Sequence, residues 1–243
     1  MKNIQIHLTN RRVLAIALFS LFIGCASKHD VTLTFDVYVG AKPLEFGKRY
    51  HSPNGDGTYS INDFKLYVSN VKLISKNGPN ENYIEADSYH LLKFQGQNNC
   101  SFILYDVPAV SYDKIQISIG VDEEANFSKG YPGDLDPTNQ MAWNWTQGYK
   151  FLLLEGLYTP ESSDQQVPLI FHIGFSENMK DLQFEFASSN NFQFAIEINE
   201  LFKNPVVIDF HTYPRILFNP AHSSMISQNY ANSFIRLDPL DSK

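Results

Sequence analysis

Val31, Leu33, Phe35, Val37 and Val39 alternate with Thr32, Thr34, Asp36 and Tyr38, and this period of two predicts a strand with one buried face. The same rhythm recurs along the chain. Phe64, Leu66 and Val68 alternate, but Val71 and Leu73 fall on the opposite parity. An inserted residue near Ser69-Asn70 would restore the buried face, so a bulge is expected there. Further strands are predicted around Tyr89–Phe94, Phe102–Tyr105, Ile115–Val121, Leu169–Phe175, Leu182–Phe186, Phe192–Ile198 and Val206–Asp209. Apart from Lys150, Tyr149 to Leu154 is a continuous apolar run, as in a strand covered on both sides. About ten short strands punctuated by Gly and Pro predict an all-β domain, either a β-sandwich or a closed barrel.

Two segments break the rhythm. Asp122 to Ala142 is a long polar insert with Pro132 and Pro137, and inserts of that length in compact domains are often functional. Pro220 to Phe234 lacks alternation and predicts a short C-terminal helix, with Asn219 as N-cap and Pro220 at its first position.

The N-terminus changes the picture of where the domain works. Arg11 and Arg12 precede an apolar run, Val13 to Ile23, and then Gly24-Cys25. A basic region, a short apolar region and a small residue before cysteine read as a secretion signal. "FIGC" resembles a bacterial lipobox, in which Cys25 would carry the lipid, with Phe22 where leucine is favoured; an ordinary signal peptide is the alternative. The expected organisation is a leader over 1–25, a tether over 26–30 and one domain over 31–243. The expected location is the periplasm or cell surface, held to a membrane, here expected to be the outer one, by acyl chains.

Loss of Lys2, Arg11 and Arg12 with such a leader would move the net charge from −7 to −10. No Lys/Arg cluster is present, so nucleic acid is excluded as a partner class. Beyond the leader one thiol, Cys100, is expected, and therefore no internal disulfide. No HExxH, CxxC, GxSxG or phosphate-binding glycine loop occurs, which removes the support for hydrolase and nucleotide chemistry.

Beyond the leader the histidines are His29, His51, His90, His172, His211 and His222. In "LIFHIGF", Phe171, Ile173 and Phe175 alternate with His172 and Gly174, so His172 shares its face with a residue that leaves room for a close approach. A hydrogen-bonded strand histidine is the plainer alternative. His222 and Met225 lie three apart on the predicted helix, and imidazole with thioether suits copper; helix packing is the alternative. Cys100 reads as a buried strand cysteine. Asp56, Asp122, Asp134 and Asp136, with Asn126, offer oxygen donors for calcium but match no known loop spacing, and read as turn residues. Met141, Trp143 and Trp145 fall at strand spacing and would share a face, as core or as an oxidisable row beside a site.

Five stretches occur in a telling order: "INDFKLYVSNVKLI" (Ile61–Ile74), "IGVDEEANF" (Ile119–Phe127), "GDLDPTNQMAWNWTQGYKFLLLEG" (Gly133–Gly156), "FHIG" (Phe171–Gly174) and "HSSMISQNYANSF" (His222–Phe234). Together they resemble the MbnP-like proteins, associated with methanobactin cassettes, and in particular the secreted lipoprotein versions of Bacteroidetes type. The resemblance implies a β-sandwich-like fold and a binding protein rather than an enzyme. It implies extracytoplasmic copper held by two histidines, near a tryptophan oxidised to kynurenine by a partner di-haem enzyme of the cytochrome c peroxidase type. On this chain the "FHIG" histidine is His172, and the tryptophans are Trp143 and Trp145. Relatives often carry Asn-His where this chain has Asn126-Phe127. His222, with Met225, is the expected substitute ligand set. A metal-free surface module for glycan or protein, or a docking substrate of the haem enzyme, is the alternative function.

Overall fold

The computed structural model describes residues 27–127, 132–144, 146–187 and 189–238. The leader, Cys25 and Trp145 lie outside the described residues. The chain order is β1 (Lys28–Val39), β2 (Lys42–Pro43), β3 (Tyr50–His51), β4 (Gly57–Ser75), β5 (Tyr83–Ile84), β6 (Tyr89–Lys93), β7 (Asn99–Pro108) and β8 (Tyr112–Ile119). A short helix α1 (Glu123–Asn126) opens the insert, followed by β9 (Ala142–Asn144), β10 (Gly148–Pro160), β11 (Val167–Gly174), β12 (Lys180–Glu185) and β13 (Asn191–Glu197). The C-terminal part holds α2 (Ile198–Lys203), β14 (Arg215–Ile216), α3 (Pro220–Tyr230) and β15 (Ile235–Asp238).

These strands make two sheets, so the sandwich expectation holds. The smaller sheet runs β15-β13-β1-β2, with β7 also paired to β1; the larger runs β12-β8-β4-β10-β11-β14, with β3, β5 and β6 on β4 and β9 on β10. The inward residues of β1 (Leu33, Phe35, Val37) meet those of β13 (Phe192, Phe194, Ile196) in parallel register. They pack on Phe64, Leu66, Leu152, Leu154, Phe171 and Ile173 of the larger sheet to form the main core. Alternation puts every second side chain on one face, and here that face is the shared interior.

The larger sheet is buried on its other face too. Tyr67, Leu91, Phe151 and Leu153 point away from the main core and meet Ala125, Leu135 and Met141 of the insert. That second core explains the unbroken apolar run at Phe151–Leu154, because both parities are covered. The switch of parity in β4 is a bulge: the pairing with β8 slips between Ser69 and Lys72, and Asn70 takes φ 53.

Four expectations need correction. Lys28–Asp30, expected as tether, is already strand, with Lys28 and His29 opposite Pro108 and Val107. Val206–Asp209 is not a strand, because the Asn229 side chain takes both polar groups of Val206: its Oδ1 accepts from Val206 N at 2.8 Å and its Nδ2 donates to Val206 O at 2.7 Å. The run from Phe192 leaves the sheet at Glu197, whose carboxylate accepts from Asn199 N and starts α2. The C-terminal helix is capped by Asn219, as expected, but stops at Tyr230, and the chain re-enters the smaller sheet as β15. Among the described residues no helix is long and apolar enough to cross a membrane.

Phe194 stacks on Phe35 with centroids 4.7 Å apart and meets Phe184 edge-on at 5.3 Å, at the centre of the main core. Phe194→Ala is expected to cost about 3–5 kcal/mol of unfolding free energy, read from urea denaturation midpoints.

Candidate metal centre

His172 sits on the outer face of the larger sheet. Its neighbours across β10 and β4 are Leu153 and Lys65, since His172 pairs with Leu153 and Leu153 with Lys65. The face is therefore mixed. Leu153 ends the second core, while Lys65, Asp63 and Glu155 bring charge beside it. Lys65 is almost fully buried, and its ammonium lies 3.2 Å from Asp63.

The His172 ring is fixed. Its Nε2 lies 2.7 Å from Glu155 Oε1, and its side chain is 16% exposed. Burial lowers its pKa below the usual imidazole value, and the Lys150 charge acts the same way; the Glu155 bond and the charges of Glu155 and Asp63 oppose them. Burial also lowers the pKa of Lys150, which donates to Gln140 O at 2.9 Å.

Gly174 shares the His172 face two residues on, roughly 6–7 Å along the strand. The room it leaves is filled from within. A Cβ there would meet Tyr149 O at 2.4 Å and the Trp143 ring at 2.7 Å. The indole thus lies over the strand end next to His172. Phe175 and Phe218 hold it, with ring centroids 5.1 and 4.6 Å away. Both phenylalanines have positive φ, 70 and 50, a region bulky side chains avoid. The Trp143 indole nitrogen is buried with no hydrogen-bond partner among the described residues. Met141 turns into the second core.

The insert is tied to this end of the sheet by Asn126. Its Oδ1 accepts from Tyr149 N at 2.7 Å and its Nδ2 donates to Ser176 Oγ at 3.3 Å. A Cβ at Gly148 would collide with that amide at 2.2 Å. Phe127 follows directly and presents an aromatic side chain that is 48% exposed.

Among the described residues the other candidates make no hydrogen bond or ring contact with His172, although α3 packs against its strand β11. His222 lies in the first turn of α3, its backbone N–H bonded to Asn219 Oδ1 at 2.9 Å and its ring edge-on to Tyr213 at 5.0 Å. Met225 packs against the main core. Among the described residues no hydrogen bond, ion pair or ring contact joins His222 to His172. His90 stacks on Phe102 and bonds Glu85 at 2.8 Å, and His211 lies edge-on to Tyr158. Cys100 is half-buried against the core. The aspartates serve local structure: Asp122 caps α1, Asp134 accepts from Leu91 N, and Asp136 accepts from Thr138 N. No group of three or more His, Cys, Asp and Glu side chains able to hold a metal ion is present among the described residues. Glu155, Phe175 and Phe218 are the residues that sequence reasoning missed.

A family model described as MbnP matches residues 28–218. The chain belongs to the MbnP family. Its fold is similar to that of MbnP from Methylosinus trichosporium, with a TM-score of 0.56 and 17% identity, over 75% of this chain and 80% of that one. Among curated proteins none matches in sequence. Family membership agrees with the resemblance carried by the ordered motifs, and the structure brings residues of three of them together. Asn126, Trp143, Tyr149 and Gly174 come from three of those stretches and meet at one end of one sheet.

Two outcomes follow from this geometry. Gly174→Ala drives the Trp143 ring from its place, so in a Trp145→Phe background the fluorescence maximum should move to longer wavelength. The lowered pKa of His172 means that, as pH falls below about 6.5, the unfolded chain takes up a proton before the folded one does. Stability is lost through that window, and His172→Gln should lose less of it between pH 7.5 and 5.5 in parallel urea titrations.

Proposed function

We propose that the protein is an extracytoplasmic copper-binding protein, tethered to a membrane through a lipid on Cys25, and not an enzyme. The observation that carries this reading is His172, a neutral imidazole fixed on a half-covered wall beside Trp143. Calcium and magnesium need several oxygen ligands and zinc needs three or four donors, and no such group is gathered among the described residues. One rigid imidazole in aromatic surroundings fits a soft ion of low coordination number, which copper(I) is. His172 would hold the ion. His222 and Met225, on the α3 helix that packs against β11, remain the second donors proposed. When bound, copper supplies a redox-active centre beside the indole.

Trp143 is the tryptophan we place at the site, as an aromatic neighbour or as the residue oxidised to kynurenine. Phe218, which touches Trp143, is 49% exposed, so an apolar rim is offered there to a di-haem partner of the cytochrome c peroxidase type.

Phe127 stands where relatives carry a second histidine, next to the Asn126 tie. About one copper per chain is expected in protein purified from a copper-supplied periplasm, and none in His172→Ala. Phe127→His should bind copper(I) more tightly than the parent, read by competition with a chromophoric chelator. Equal affinity of parent, His172→Ala and Phe127→His would sink the assignment.

A further inference from the structure

Glu155 is the only charged residue in the run Phe151–Gly156, and its carboxylate reaches His172 across the strand pair. His172 lies opposite Leu153, so Glu155 is its diagonal neighbour on the same face. An ionised carboxylate only accepts hydrogen bonds. The nitrogen 2.7 Å from it must therefore carry the proton, and that nitrogen is Nε2. In a neutral ring the other nitrogen, Nδ1, is then a bare lone pair. Among the described residues Nδ1 has no hydrogen-bond partner.

We infer that Glu155 is the positioning residue of the site, holding His172 as its Nε2–H tautomer so that Nδ1 is the atom presented to the ion. The inference rests on the copper reading for the identity of the ion, but the tautomer does not. Metal-binding histidines commonly donate their second ring N–H to a carboxylate in this way, which fixes the ring and raises its basicity.

The cross-strand register favours a role for Glu155 other than stability. Glu155 lies directly opposite Asp63 on β4, and like charges in that position destabilise a sheet. Asp63 is answered by Lys65 at 3.2 Å. Glu155, with a side chain 43% exposed, has the His172 ring as its hydrogen-bond partner. Replacing it relieves the opposition to Asp63, so its loss should leave the fold intact.

The test uses the soluble lipid-free chain, with ring nitrogens followed by long-range proton–nitrogen NMR at pH 7.5 without metal, and copper(I) affinity measured by chelator competition. In the parent, His172 should show the Nε2–H pattern. Glu155→Ala should mix the two tautomers and weaken copper(I) about 10–100-fold, with an unchanged urea midpoint. Glu155→Gln, whose carbonyl still accepts the hydrogen bond from Nε2–H, should keep the tautomer and most of the affinity. An Nδ1–H pattern in the parent, or an unchanged tautomer in Glu155→Ala, would overturn the inference. A tautomer lock that depends on Glu155 in a protein that takes up no copper would leave the positioning role standing and remove the copper reading alone.

Discussion

Phe151 and Leu153 of β10 point to one face of the larger sheet, Leu152 and Leu154 to the other, and both pairs are buried. β10 is bonded to β4 on one side and to β11 on the other. Burial of a central strand on both faces fixes its register, because a slip of one residue would exchange two differently shaped cores. Everything at the candidate centre hangs from that register. It sets Leu153 opposite His172, brings Glu155 within a hydrogen bond of the ring, and lays Tyr149 against Gly174. A site built on paired strands inherits their precision, where loops alone would leave the imidazole free to turn.

The polar insert completes the arrangement by covering half of the outer face. Ala125, Leu135 and Met141 close the second core, and β9 delivers Trp143 to the strand end. The cover stops short of Glu155 and Asp63. The boundary between dry and wet therefore runs across β10, with His172 on it. Partial burial favours the neutral form of the imidazole, and the open side leaves it reachable.

Much of this was legible along the chain, and the reasons differ by element. The alternation of β1 and Ile115–Ile119 records one-sided burial directly. The parity switch in β4 announced the bulge, since only an extra residue could reconcile Leu66 with Val71. Val206–Asp209 has a strand's composition, but its backbone is satisfied by Asn229, a partner 23 residues away that no local pattern reveals. In α2, Ile198, Leu201 and Phe202 are buried at helical spacing, yet they continue an apolar strand without a break, so the turn of direction at Glu197 was hidden. His172 and Trp143 were visible as candidates because a histidine and a tryptophan stand out in apolar runs. Glu155 was not, because its meaning depends on a residue 17 positions on. Nor was the clamp of Phe175 and Phe218, whose backbone angles carry no signature in the residue type.

Asn178 has a consequence for how other molecules can meet this surface. Among the described residues β11 is paired on its far side only by the two residues of β14, at Ile170 and Phe171. Beyond them Asn178 Nδ2 donates to Gly174 O at 2.8 Å, Ser227 donates to the same amide's Oδ1, and Tyr230 donates to the Asn178 carbonyl. The end of the strand is thus sealed by side chains anchored in α3. The Gly174 end of β11, finished in this manner, offers no template for an added strand. Whatever approaches His172 has to be read by shape and by individual side chains, which keeps the surface from recruiting extended peptides by backbone pairing.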